Sequence, residues 1–217
     1  MSRPLSRLMV LVVALLALAA DGRAYPKPSA YPIAWQLKFE YQIPQRIVVT
    51  IPGSLTAKAY WYMTYTVTNL TDKEQKFYPA FEILLDDGRL FRSDNNIPQV
   101  VLDTIRIREK RSTLESATEI AGIIRVGEDQ ARDGVAIWEE PTVEMGRFSV
   151  FVGGLSGEST ILTDDAGQPV VKTDKDGKKD PVVLHRTLQL DFHVPGDEKF
   201  PSLDKLRPDG DPKWVMR

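Results

Sequence analysis

The chain has 217 residues, of which 42% are apolar and 27% charged, and it contains 15 prolines and no cysteine. This composition is typical of a globular protein of one or two domains, and it excludes collagen-like and multi-span membrane chains as well as disulfide scaffolds and cysteine-based catalytic or metal sites. The 28 basic and 30 acidic residues nearly cancel, so no global field favours nucleic acid as a partner.

The N-terminal 24 residues have the layout of a secretory signal peptide. Arg3 and Arg7 precede an unbroken apolar run at residues 8–20, and Ala24 ends a short segment of small residues that suits a cleavage site. The run is too short for a membrane span, which needs about 20 residues. We therefore expect cleavage after Ala24, no membrane span in the mature protein, and a periplasmic or secreted location in a bacterium.

The mature chain is dominated by a period of two, which indicates β-strands. The clearest strand is predicted at residues 60–68, where Trp61, Met63, Tyr65 and Val67 share one face. Further strands are predicted at residues 35–42, 47–51, 75–85, 89–92, 120–126, 135–138, 147–152 and 182–193, and a hairpin with a polar tip is predicted between Leu155 and Leu184. Pro79 marks a bulge or an edge position within the strand predicted at residues 75–85.

One helix interrupts the strands, from about Pro98 to about Arg111. Val101, Leu102 and Ile105 recur there at helical spacing. About nine short strands and one helix, without βαβ alternation, predict an all-β, immunoglobulin-like antiparallel sandwich at residues 25–194. Residues 195–217 contain four prolines and are predicted to form an extended, poorly regular tail that docks on the sandwich through Trp214.

No set of residues in the sequence has the spacing of a catalytic nucleophile and its base. The two histidines, His185 and His193, fall on one face of a predicted strand, too far apart to share a metal. Asp191 and His193 form the one pair that would merit a first test as an enzyme site. The sequence therefore predicts a protein that is not an enzyme and needs no cofactor.

Two sets of residues are candidates for binding. Asp174, Asp176 and Asp180 resemble the start of a calcium loop, although the distal glutamate is missing and lysines surround them. Tyr60 and Tyr62 fall on the polar face of their strand, where exposed rings would stack on sugars. The alternative interpretations are a solvated hairpin tip for the aspartates and a packed strand face for the tyrosines.

Four segments resemble a family of exported, functionally uncharacterised bacterial proteins of the planctomycete type. They are AYWYMTYTVTN at residues 59–69, FEILLDDG at 81–88, DGVAIW at 133–138 and FVGGLSGES at 151–159. The first and third also resemble immunoglobulin-like sandwich domains of secreted bacterial proteins. The resemblance spans about residues 35–191 and implies export and a sandwich fold, with no known activity, ligand or catalytic residue.

These observations predict an exported, non-catalytic sandwich protein that acts by binding or structural association at the cell envelope. Its expected partner is an envelope protein or a glycan. The alternative is a carbohydrate-recognition module that uses Tyr60 and Tyr62.

Overall fold

The computed structural model describes residues 25–54, 56–142, 145–195 and 206–217. The predicted signal peptide lies outside the described residues, as does the first part of the predicted tail. The chain forms two compact units. One comprises residues 28–160 and 183–217 and is called the sandwich below; the other contains Ile161–Val182, called the double hairpin, together with residues 25–27.

Strands account for 47% of the structure and helices for 10%, which confirms the predicted all-β class with an inserted helix. The strands are β1 (Lys38–Tyr41), β2 (Gln45–Thr50), β3 (Ala57–Thr68), β4 (Gln75–Phe77), β5 (Ala80–Leu85), β6 (Leu90–Arg92), β7 (Gly122–Ile124), β8 (Arg132–Glu139), β9 (Arg147–Gly153), β10 (Ser159–Ile161), β11 (Val171–Thr173), β12 (Lys179–Pro181), β13 (Val183–His193), β14 (Arg207–Pro208) and β15 (Lys213–Met216). The helices are α1 (Gln99–Glu109) and α2 (Ala117–Ile120), and a 3-10 turn spans Glu128–Gln130.

Strand β3 is the centre of the first sheet. It pairs antiparallel with β1 and β2 in succession and with β8 along residues 60–67. Its alternating aromatic, β-branched and threonine residues suit a pleated surface that packs on both sides. The predicted strand at residues 60–68 is thus confirmed and extends further toward its N-terminus.

The second sheet has the order β10-β13-β9-β5-β6, with β14 and β15 also paired to β13. Pro79 lies between β4 and β5, which belong to different sheets. The single strand predicted at residues 75–85, with a bulge or an edge position at Pro79, is therefore two strands, because proline cannot donate to a ladder. A small ribbon of β4 and β7 completes the described part of the sandwich.

The two sheets enclose the main core. From β3, Trp61, Met63, Tyr65 and Val67 point into it, and Phe81, Val150 and Leu190 come from the second sheet. Ring pairs such as Tyr65 and Phe81, with centroids 4.8 Å apart, fill the space between the sheets. The alternation that predicted the strand therefore identifies the face that packs on the opposite sheet.

Helix α1 forms a third layer on the other face of the first sheet. Val101, Leu102 and Ile105 are buried in a second cluster with Tyr60 and Tyr62 of β3. The helix begins after Pro98 and ends at Lys110, whose φ of 54° is the left-handed conformation common at helix ends. The predicted helix is confirmed, while the second short helix, α2, was not predicted.

Two predictions for the C-terminal half need correction. A single hairpin with a polar tip was expected between Leu155 and Leu184, but the chain makes two successive hairpins there. The tail was expected to be irregular, yet its described part, residues 206–217, forms β14 and β15 against β13. Backbone pairing with β13 outweighs the effect of the prolines. Pro212 precedes the paired positions of β15, and Pro208 is itself paired with Phe192 in the short strand β14.

Candidate functional site

The outer face of β13 holds the residues that the sequence singled out as an enzyme pair. Asp191 accepts hydrogen bonds from the Ser149 hydroxyl at 2.6 Å and from the Lys213 ammonium at 2.8 Å. Burial alone would raise the pKa of Asp191, but these bonds and one from Gln189 outweigh it and hold the pKa below its usual range. A carboxylate stabilised in this way is a weak base and does not activate Ser149.

His193 does not complete this cluster. It pairs across the strands with Arg147, while Asp191 pairs with Ser149. The Nδ1 atom of His193 is buried without a hydrogen-bond partner. The arrangement around Asp191 is therefore a fixed ion network between β9, β13 and β15 and not a relay from a nucleophile to a base.

The expectation that Tyr60 and Tyr62 are exposed is wrong. Both are 1% exposed, because helix α1 covers the face of β3 on which they lie. The Tyr62 hydroxyl donates to Glu109 of α1 at 2.6 Å, and burial followed by this bond raises the pKa of Tyr62. The two rings hold the helix to the sheet, so neither offers a face for a sugar to stack on.

The basic residues at the end of α1 serve mainly to attach it. Arg108 donates to the carbonyl of Arg46, Arg111 pairs with Asp133, and Arg106 donates to the carbonyl of Leu114. Beside them lies an open depression of about 390 Å³, lined by Asp103, Arg106, Ile107, Lys110 and Ser112. Since internal partners occupy its arginine, this depression is not a built anion site.

The predicted calcium ligands Asp174, Asp176 and Asp180 lie in the double hairpin. Asp174 Oδ1 accepts the backbone N–H groups of Asp176 and Lys178 at 2.9 and 2.8 Å, and Lys178 Nζ lies 3.0 Å from Asp180. Within the described residues, no three His, Asp or Glu side chains form a group that could hold a metal ion. The Asp174 carboxylate therefore stabilises a turn, and the Lys178 ammonium forms an ion pair with Asp180.

Backbone hydrogen bonds and two aspartate side chains organise the double hairpin. Leu162, Val170 and Val182 form a ring in which Leu162 donates to Val182, Val182 to Val170 and Val170 to Leu162, all within 2.9 Å. One turn follows at residues 164–167 and an equivalent one at 174–177, and each is closed by an aspartate that accepts two backbone N–H groups. No side chain from residue 163 to residue 181 is buried.

A buried ion pair, which the sequence analysis missed, joins three segments of the sandwich. The side chains of Glu158 and Arg186 are each 5% exposed, and their charged atoms are 2.7 Å apart. Glu158 also accepts the N–H of Ser29 at 2.8 Å, and Arg186 donates to the Ser29 carbonyl at 3.1 Å. Arg186 falls on the apolar phase of β13, between Leu184 and Leu188, which is a signal that could have revealed it.

Trp214 completes this cluster from the C-terminal strand. It pairs with Leu188 across β13 and β15, packs partly buried against the main core, and receives the Arg186 guanidinium 4.8 Å from its ring centroid. The predicted docking of the tail through Trp214 is confirmed. The ion pair thus fixes the N-terminal segment at Ser29 and the C-terminal strand at Trp214.

Asp94 is hydrogen-bonded to the edge of β8. Its N–H donates to the Ile137 carbonyl at 2.7 Å, and its backbone has a φ of 58°. Burial raises the pKa of Asp94 to about 6, although hydrogen bonds from Ser93 and Ile137 act in the opposite direction. The Asp94 carboxylate thus covers the unpaired edge of β8, although burial makes its ionised form less stable.

No protein-family model matches the chain, and no significant match occurs among curated proteins or solved structures. Among the described residues, no helix is both long and apolar enough to cross a membrane.

Proposed function

We propose that the protein is an exported, non-catalytic β-sandwich protein that acts by binding or structural association at the bacterial cell envelope, with the double hairpin as its contact surface. One observation supports this surface above the others. Residues 163–181 expose nearly all their side chains on a backbone that turn hydrogen bonds hold in place. An ordered segment without a core of its own is expensive in conformational entropy, which favours a role in binding.

The chemistry of the double hairpin suits a polar partner. It carries five carboxylates and four ammonium groups, at Asp164, Asp165, Asp174, Asp176, Asp180, Lys172, Lys175, Lys178 and Lys179. Both signs are interspersed, so the surface offers directional hydrogen bonds and ion pairs without a net field. Because the turns are already formed, binding costs little additional ordering. An envelope protein or a polar glycan fits these properties.

The decisive experiment compares the mature chain with a variant in which Asn-Gly replaces residues 163–181. Leu162 donates to Val182 at 2.9 Å, a geometry that a two-residue turn can close. Both proteins are incubated with delipidated cell-envelope fragments and sedimented. We expect the mature chain to pellet and the variant to stay in the supernatant with an unchanged unfolding midpoint. Equal sedimentation of the two, or of neither, would overturn the proposal.

A charge-matched pair of variants sharpens this test. Lys178→Glu/Lys179→Glu changes the double hairpin, and Lys73→Glu/Lys76→Glu makes the same change at exposed positions of the sandwich. Only the first pair is expected to weaken sedimentation. If both pairs weaken it equally, binding depends on net charge and the double hairpin is not the contact surface.

The non-catalytic part of the proposal has its own test. The purified mature chain is assayed for hydrolysis of glycoside, ester and peptide substrates, alongside Asp191→Asn. No turnover is expected from either protein. A turnover that disappears in Asp191→Asn would contradict the proposal and identify the outer face of β13 as an active site.

A further inference from the structure

A loop near the start of the sandwich has an unusual surface. Residues 30–34, called the apolar loop below, read Ala-Tyr-Pro-Ile-Ala, and residues 30–33 are all exposed. The side chains of Tyr31 and Ile33 are 83% and 75% exposed. Nowhere else in residues 25–54, 56–142, 145–195 and 206–217 do four consecutive apolar residues face solvent. Most other exposed apolar side chains in these ranges stand singly among polar neighbours, which is ordinary for a protein surface.

The two ends of the apolar loop are held by one short segment of the sandwich. At one end, Ser29 is hydrogen-bonded to Glu158 and Arg186. At the other, the Trp35 carbonyl accepts the Gly157 N–H at 3.0 Å and the Ser156 hydroxyl at 3.2 Å. Residues 156–158 therefore fix both ends, and Pro32 restricts the backbone between them. The exposed tip is thus presented by a rigid base.

The local charge differs from that of the whole protein. Removal of the predicted signal peptide leaves 25 basic against 29 acidic residues, yet no carboxylate occurs between Tyr25 and Phe39. The two charged residues in that stretch are Lys27 and Lys38, and both are basic. The apolar loop therefore lies in a stretch of sequence without negative charge. An anionic bilayer surface repels negative charge, so this stretch can approach such a surface.

We propose that the apolar loop inserts into the headgroup region of a lipid bilayer, which would make the protein a peripheral membrane binder. Two exposed side chains on a short loop cannot supply the roughly 1,000 Å² of a specific protein interface. A bilayer accepts a small apolar tip without a complementary pocket, and tyrosine is enriched where hydrocarbon meets headgroups. This surface is separate from the double hairpin, and the inference goes beyond the proposed envelope contact.

Flotation with pure lipid vesicles tests the inference. The mature chain is mixed with vesicles of phosphatidylcholine, with and without phosphatidylglycerol, and the bound fraction is measured. Tyr31→Ser/Ile33→Ser is expected to lower the partition coefficient about tenfold, because the two apolar side chains supply most of the buried area. The matched control is Tyr78→Ser/Ile107→Ser, which makes the same two changes at sites that are 63% and 77% exposed, and its partition coefficient is expected to stay unchanged.

Three results would overturn the inference. They are no binding of the mature chain to either vesicle, an equal loss in both double variants, and self-association through the apolar loop in place of vesicle binding, detected by analytical ultracentrifugation. The vesicles contain no protein or glycan, whereas the envelope fragments used for the double hairpin are delipidated. Failure of one experiment therefore leaves the other surface unaffected.

Discussion

The sandwich and the double hairpin keep their order by different physical means. The sandwich buries two clusters of apolar side chains, one between its sheets and one beneath α1. The double hairpin buries no side chain from residue 163 to residue 181, and its shape depends on backbone hydrogen bonds and two aspartate turns. Stability therefore resides in the sandwich, while most side chains of the double hairpin are exposed to solvent.

This difference predicts where substitutions are costly. In the sandwich a side chain has many packed neighbours, so its loss creates a cavity or an unpaired charge. In the double hairpin a substitution changes one turn and leaves no cavity. Substitutions in the sandwich are therefore expected to lower the free energy of unfolding more than substitutions in the double hairpin.

Glu158→Ala is expected to be the most destabilising of these substitutions. It leaves the Arg186 guanidinium buried without its carboxylate partner and removes the hydrogen bond that Glu158 accepts from the Ser29 N–H, at a cost of about 3–5 kcal/mol in the free energy of unfolding. Because the pKa of Glu158 is lowered in the folded state, its contribution is present above the unfolded pKa, about 4.3, and is lost as the pH falls through the folded value. Urea unfolding of both proteins from pH 3 to pH 7 measures the difference.

The control for this substitution is Glu139→Ala, which removes an ion pair with Lys58 whose side chains are about half exposed. Exposed pairs contribute little, so its unfolding curve is expected to overlay that of the unchanged protein. A Glu158→Ala curve that also overlays it would show that the buried pair does not hold the sandwich together.

The layer formed by α1 is tested by two isoleucines of the same helix. Ile105 is fully buried against β3, whereas Ile107 is 77% exposed. Ile105→Ala is expected to cost about 3 kcal/mol through lost burial and the cavity left behind. Ile107→Ala should leave the free energy of unfolding unchanged. Similar effects at the two positions, measured by urea unfolding, would contradict the packing of α1 on the sheet.

Asp94 provides a pH-dependent test within the sandwich. Its folded pKa of about 6 lies above the unfolded value of about 3.9, so between these values the folded state holds more protons. Stability is therefore expected to fall as the pH rises from about 4 to 6. Asp94→Asn mimics the neutral form and tolerates the left-handed backbone, so it should remove this part of the slope and stabilise the protein by about 2 kcal/mol at pH 7.

The comparison with Asp94→Asn requires unfolding curves at several pH values. The contribution of Asp94 to the pH dependence is the difference between the two proteins in how the free energy of unfolding changes from pH 4 to pH 6. A variant that is less stable at pH 7 would show that the carboxylate's hydrogen bonds to the β8 edge outweigh its burial.

Local periodicity was sufficient to predict β3 and α1. The alternation in β3 identified both its faces, and the spacing of Val101, Leu102 and Ile105 identified α1. Periodicity did not reveal that these two surfaces meet, because a tyrosine and threonine face suits water and a packed layer equally well. The expected exposure of Tyr60 and Tyr62 failed for this reason.

Contacts between residues far apart along the chain were the second feature that could not be predicted from the sequence. Arg186 on an apolar strand phase signals that a partner is needed, but Glu158 and Ser29 are far away along the chain. Similarly, two Asp-Gly turns are visible at residues 164–167 and 174–177, yet their arrangement as two hairpins depends on the ring of backbone bonds among Leu162, Val170 and Val182. The position of the double hairpin along the chain was therefore visible in the sequence, but the backbone hydrogen bonds that hold it in place could not be predicted.

The smallest global effect is expected in the double hairpin. Gly177 has a φ of +81° and open space around it, so Gly177→Ala strains the turn without a clash. The strain of about 1 kcal/mol should loosen the hydrogen bond from the Lys178 N–H to Asp174 and speed its amide exchange roughly fivefold. The unfolding midpoint is expected to stay the same, since no side chain packs on this turn.

In the sandwich, Gly154 has a similar φ of +85°, but an added Cβ would clash with the Tyr78 carbonyl oxygen. Gly154→Ala should therefore lower the midpoint, and equal midpoints for the two variants would remove the distinction between a region ordered by packing and one ordered by its backbone.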